Sequence, residues 1–115
     1  MVKSALIAFV ALALPGALPA APLADATVVL TLKNHRFEPA KITLPAGRKI
    51  HVRLVNQDGA MEEFDSSDLK VEEDVTPHGA TDFTVGPLKP GIYAFMGEAH
   101  PATAAGSFTA ISGAE

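Results

Sequence analysis

Ile50-His51-Val52-Arg53-Leu54-Val55-Asn56 alternates large apolar residues at 50, 52 and 54 with polar ones at 51 and 53. Successive strand side chains point to opposite faces, so this beat of two marks a half-buried strand and not a helix. The pattern recurs on both sides of the segment. Upstream, Val28, Leu30 and Leu32 alternate with Thr27, Val29, Thr31 and Lys33. Downstream, Phe83 and Val85 form a third run, Ile92 and Ala94 against Tyr93 and Phe95 a fourth, and Phe108, Ala110 and Ser112 a last one. Pro45-Ala46-Gly47, Gln57-Asp58-Gly59, Pro77-His78-Gly79 and Lys89-Pro90-Gly91 carry the residues of chain reversal between the runs. Ser66 to Leu69 reads as a short turn or helix. Short strands at regular spacing, without a long helical pattern, predict an all-β fold, a Greek-key β-sandwich.

The chain has 115 residues, enough for one domain. Its opening reads differently from the rest. Lys3 gives a positive start, Ala5 to Leu14 is uncharged and apolar, Pro15-Gly16 breaks it, and Ala24-Asp25-Ala26 offers a small-x-small cleavage site. This is the pattern of a secretory signal peptide over residues 1–26, cleaved near Ala26, with Ala20 or Ala21 as alternative points. The apolar run is too short for the roughly 20 residues of a membrane span. The expected product is a periplasmic domain over residues 27–115, with no membrane insertion of the mature chain. Loss of Lys3 and Asp25 together leaves the formal charge at −4. A mildly acidic chain lacks the clustered Lys and Arg that phosphate contacts need, so nucleic acid is excluded as a partner. There is no cysteine, so an exported domain must rely on its core and any bound metal for stability.

Two short motifs stand out: Met61-Glu62-Glu63-Phe64 and Gly97-Glu98-Ala99-His100-Pro101, the latter after the aromatic lead-in Tyr93 and Phe95. With Phe64 directed inward, as a large apolar residue should be, Glu62 shares its face while Met61 and Glu63 lie opposite. The late strand likewise sets Tyr93, Phe95 and Gly97 on one face and Met96 on the other. Alternation gives only these faces. One imidazole with two carboxylates, softened by a thioether, suits Cu(II), iron, Mn(II) or Zn(II). Taken alone, an acidic turn such as Asp58, Glu62, Glu63, Asp65 and Asp68 is ordinary solvated surface.

The element order and these motifs resemble the cupredoxins over Thr27 to Ile111. Phe37-Glu38-Pro39, Ile42 to Gly47, the strand ending on Asn56, and Gly86-Pro87-Leu88-Lys89-Pro90-Gly91 leading into the late loop all carry the resemblance. It implies a metal site at one pole of the sandwich, where Glu62, Glu98 and His100 would converge, with Met61, Glu63 and Met96 as a second tier. There Glu62 would stand where the family's first histidine stands, and Gly97 where its cysteine stands. Without that thiolate a blue copper centre is ruled out, and copper in a non-blue site, with iron as the alternative, is the implied cofactor. The motifs also resemble small periplasmic cupredoxin-like proteins found alongside iron-uptake systems, which implies a periplasmic iron-binding protein or an iron permease as partner. A metal-free module docking on a periplasmic or membrane partner is the alternative from a different class.

The other histidines carry weaker signals. His51 falls on the polar face of its strand and His78 in a turn, and both are expected at the surface. His35, two residues before Phe37, would fall on the inner side near a sheet edge. Enzyme readings find little support: Ser66 and Ser67 have no glycine elbow or assignable base, and Gly86 and Gly91 are turn glycines. Ferroxidase chemistry at the same mononuclear site would be an added activity that residue spacing does not encode.

Overall fold

The computed structural model describes residues 25–113. Nine strands follow in chain order: β1 (Ala26–Lys33), β2 (Arg36–Glu38), β3 (Lys41–Pro45), β4 (Ile50–Asn56), β5 (Glu62–Ser66), β6 (Val71–Val75), β7 (Ala80–Val85), β8 (Gly91–Gly97) and β9 (Ala105–Ile111). They form two mixed sheets packed as a sandwich, one ordered β3-β9-β8-β5-β6 and the other β2-β1-β4-β7. The all-β sandwich expected from alternation is the observed one. β1 lies parallel to β4, and β3 parallel to β9; the remaining pairs are antiparallel. Among the described residues no helix is long and apolar enough to cross a membrane.

Alternation sorts the side chains as read. Leu30, Leu32, Ile50, Val52 and Leu54 face inward and are buried, while Arg53 and Lys33 face out. Phe64 from β5 and Phe95 from β8 stack with ring centroids 4.9 Å apart, and Phe37 meets Phe95 edge-on at 5.1 Å. Offset and edge-on aromatic contacts each add about 0.5–1.5 kcal/mol beyond area burial. This cluster forms the floor beneath one pole of the sandwich.

The expected leader, residues 1–26, lies outside the described residues except for Asp25 and Ala26. Ala26 opens β1, its N–H donating to the Lys49 carbonyl at 3.0 Å. Asp25 meets His51 at 2.9 Å, so His51 is half-buried and paired. His78 is exposed in its turn. The last strand stops at Ile111, one residue short of Ser112. Its partner β3 ends there too, at Pro45, and Ala46 closes the edge by donating to the Ile111 carbonyl.

β6, Val71-Glu72-Glu73-Asp74-Val75, is a strand that the apolar pattern conceals. Only Val75 of it is fully buried, and Glu73 turns to Thr81 across the sandwich. The Ser66–Leu69 segment turns without a helix. The Ser66 hydroxyl donates to the Ala94 carbonyl at 2.6 Å, and the Ala94 N–H donates to Asp68 at 2.9 Å. Beyond Asp65↔Met96, where the β5–β8 pairing ends, these two side chains satisfy the backbone of β8.

Candidate functional site

Three connections converge at the pole above the aromatic floor: the β1–β2 turn, the β4–β5 loop and the β8–β9 loop. Glu62 opens β5 facing inward, on the same side as Phe64, and is 2% exposed. A buried carboxylate must be fully hydrogen-bonded to survive desolvation. Its Oε1 accepts the N–H of Glu63 at 3.0 Å and of Ala99 at 2.7 Å, and its Oε2 meets His100 Nδ1 at 2.8 Å. An acceptor that already takes two N–H bonds assigns the hydrogen to Nδ1, so the lone pair of His100 sits on Nε2. The His100 side chain is 32% exposed. The loop that carries it closes on itself, since Gly97 N–H donates to the Ala104 carbonyl and Ala104 N–H to that of His100, both at 2.8 Å.

Gly97 owes its identity to Glu62. A Cβ at position 97 would lie 2.6 Å from Glu62 Cδ, 2.8 Å from its Oε2 and 2.9 Å from Ala104 Cβ. The carboxylate fills the space that any side chain here would occupy.

Glu98 does not join Glu62 and His100. Its N–H donates to the Glu63 carbonyl at 2.9 Å, which sets it on the outer face beside Glu63, and their carboxyl groups hydrogen-bond. Glu63 stands directly across from Asp74, and Asp65 from Glu72. Among the described residues none of these carboxylates forms an ion pair. The hydrogen bond to Glu98, then partial burial, then the charges of Glu98, Asp74 and Glu72 push the Glu63 carboxyl up to about 7. Met61 is half-exposed beside this group. A shallow depression of about 430 Å³ is lined by Met61, Glu62, Glu63, Asp74, Glu98 and Ala99. Met96 faces outward one row away, opposite Asp65.

Two residues read from the sequence only as a sheet-edge histidine and a solvated turn acid belong to this pole. His35 sits in the β1–β2 turn, its ring stacked on His100 with centroids 3.7 Å apart and planes 15° from parallel. Asp58 accepts the Asn34 N–H at 2.7 Å and the His35 N–H at 2.9 Å. The His35 N–H bond is the main reason that the Asp58 carboxyl is held below its usual range, against the opposing effect of burial. The Asn34-His35 dipeptide between Lys33 and Arg36 was the available signal, because Asn favours the first position of a two-residue hairpin turn. Nothing local says that this turn meets a loop 65 residues on.

The profile of the cupredoxin-like domain matches residues 5–110. The chain belongs to the cupredoxin-like family. A protein of Rickettsia prowazekii (strain Madrid E), itself described as uncharacterized, is 40% identical over 79 residues, 69% of this chain. This chain spans 63% of that relative's length. Among solved structures, auracyanin A, a "blue" copper protein from Chloroflexus aurantiacus, superposes with a TM-score of 0.67 at 11% identity, covering 76% of this chain and all of that one. The metal-binding domain of the Streptococcus pneumoniae Cu(I)-exporting P-type ATPase, solved with Cu(I), gives 0.64 at 15% identity, over 75% of this chain and 85% of that one. At these identities the structural likeness speaks for the fold.

This cupredoxin-like pole does not fit a blue copper centre. The chain has no thiolate to offer, and Glu62 occupies the space at Gly97. Among the described residues no group of three or more His, Cys, Asp or Glu side chains is placed so that it could hold a metal ion. What the pole presents is a single imidazole nitrogen, a hydrogen-bonded carboxylate pair and a thioether. By type these are N, O and S donors that borderline or hard divalent cations take, but the structure does not gather them at one point.

Proposed function

We propose that this is a periplasmic cupredoxin-like protein that binds a metal cation in a non-blue site at the Glu62 pole and serves iron uptake. Copper is the first candidate and iron the alternative. His100 through Nε2 is the first donor, with Glu62 holding it from behind; Glu98, Glu63 and Met61 lie apart from it on the outer face and would join it only if the β8–β9 loop rearranged around the cation. The observation that carries this reading is the buried Glu62 carboxylate on His100 Nδ1. Metal-binding histidines characteristically donate their other N–H to a carboxylate, which fixes the ring and raises the basicity of the coordinating nitrogen. Two hard carboxylates would favour the oxidised form of copper or iron, as suits a receiver of the metal better than a two-way electron shuttle. The Glu63–Glu98 pair shares a hydrogen that a cation would displace, so affinity should weaken as the pH falls below about 7. The signal-peptide pattern expected over residues 1–26 and the two motifs support a place beside a periplasmic iron-binding protein or iron permease.

The test is a calorimetric titration of the chain expressed from Asp25, which keeps the partner of His51. Submicromolar Cu(II) or Fe(II) binding, lost in His100→Ala and in Glu98→Ala, is the expected result. Binding of Cu(II), Fe(II) and Zn(II) no tighter than about 100 µM, roughly −5.5 kcal/mol, overturns the reading. A second reading, a metal-free docking module, is favoured by the facing carboxylates on β5 and β6, which a cationic protein surface would relieve. It predicts salt-dependent association with a basic partner that His100→Ala leaves unchanged.

A further inference from the structure

His35 is placed with more care than a turn residue needs. Lys33 pairs with Arg36, so Asn34 and His35 form a two-residue hairpin turn, with φ of 54° and 56°. Turns of this kind place positive φ at both central residues, and the second is most often glycine. A histidine there gives up the freedom that glycine would have, and the surroundings hold it in place. Asp58 accepts both N–H groups of the turn and lies 3.6 Å from the His35 ring Nδ1. Asp58 is itself fixed, its N–H donating to Asn56 Oδ1 at 2.9 Å. Asn56 is buried at the end of β4 and donates to the carbonyls of Ala60 and Thr76. A continuous hydrogen-bonded chain therefore runs from the core to the His35 backbone.

The only ring that His35 stacks on is that of His100 among the described residues. We infer that His35 is a positioning residue for His100, covering one face of its ring while Glu62 holds its edge. This rests on the reading of His100 as the imidazole donor of the metal site. The stack is not a two-histidine chelate. An imidazole lone pair lies in the ring plane, and a zinc-like cation sits about 2.0–2.1 Å from the nitrogen. Two nearly parallel planes 3.7 Å apart do not meet at one such point. With Nδ1 bound to Glu62 and one face covered, His100 loses its rotational freedom and presents Nε2 in one direction. Pre-ordering of this kind lowers the cost of binding.

Two substitutions in the full-length domain test the idea. His35→Gly suits the turn but removes the ring; His35→Phe keeps a flat ring and removes the nitrogens. The affinity for Cu(II) or Zn(II) should fall about tenfold or more in His35→Gly, as for other residues that orient a ligand, and return to within about threefold of wild type in His35→Phe. Wild-type affinity in the glycine variant overturns the inference. So does a phenylalanine variant as weak as the glycine one, which would make the His35 nitrogen a ligand. A readout without metal separates this from failure of the metal reading itself. The His100 Hδ2 and Hε1 resonances should carry a ring-current shift that His35→Gly abolishes and His35→Phe retains. If wild type binds no cation, the metal reading falls while these shifts still decide whether the stack exists; absent shifts overturn the inference whatever the affinity.

Discussion

Glu62 and Glu63 are the same residue one position apart, and the fold uses them in opposite ways. Glu62 faces inward and is buried under three hydrogen bonds. Glu63 faces outward, into the company of Glu98 and Asp74. A single strand, by alternation alone, has made one carboxylate a brace for His100 and left the other short of a counter-charge. The inner carboxylate supplies stability and order. The outer one, on the present reading, supplies affinity for a cation at some expense of stability.

The contrast breaks most visibly at Glu62. Glu62→Ala strands the Ala99 and Glu63 N–H groups and frees the His100 ring, and should destabilise the domain by about 3 kcal/mol, measured by urea denaturation. Glu63→Ala, with no such dependents, should cost far less. Equal losses at the two positions would erase the distinction.

Gly97→Ala comes next, at about 2 kcal/mol, because its Cβ must push Glu62 or Ala104 aside. The penalty should shrink in the Glu62→Ala background, a non-additivity that a double-mutant cycle reads directly. By the same geometry, Gly97→Cys alone should give no blue copper band with Cu(II). Such a band would show that Glu62 does not block the position.

A smaller effect sharpens the outer half of the comparison. The Glu63 carboxyl titrates near 7 in the folded chain and at 4.5 when free of its neighbours, so the folded state holds the extra proton between these values. This contribution to stability is complete below 4.5 and is lost as the pH rises through about 7. In Glu63→Gln the fall in Tm between about pH 5.5 and 8 should be reduced. An unchanged pH profile would mean that the carboxylates on this face are too well solvated to repel one another. Asp58 carries the opposite sign. Its lowered carboxyl stabilises the fold above its free value of 3.8, and that support is lost as the pH falls through the folded value. Asp58→Asn should therefore cost about 1 kcal/mol at neutral pH and nothing in strong acid.

Alternation made the framework legible. It placed Leu30, Val52, Phe64 and Phe95 in the core, and put Glu62 on the inner face with Glu63 on the outer, since one buried face fixes the register of each strand. It concealed β6, where three acids between two valines leave little apolar signal. It could not direct Glu98, which lies just past the end of β8, where pairing no longer dictates the face; there its backbone bond to Glu63 decides. His35 was beyond reach for another reason. Its contact with His100 is made by a hairpin tip that Asp58 anchors, and no periodicity within β1 or β2 records where that tip lands.

A His100 held by Glu62 through Nδ1 keeps its Nε2 free for a cation. Side-chain proton–nitrogen correlation spectra, recorded before and after Zn(II) addition, test this in one experiment. His100 should appear as the Nδ1–H tautomer in the metal-free protein, and its Nε2 resonance should move on Zn(II) addition while Nδ1 keeps its proton. An Nε2–H tautomer, or an Nε2 signal indifferent to saturating Zn(II), would contradict it.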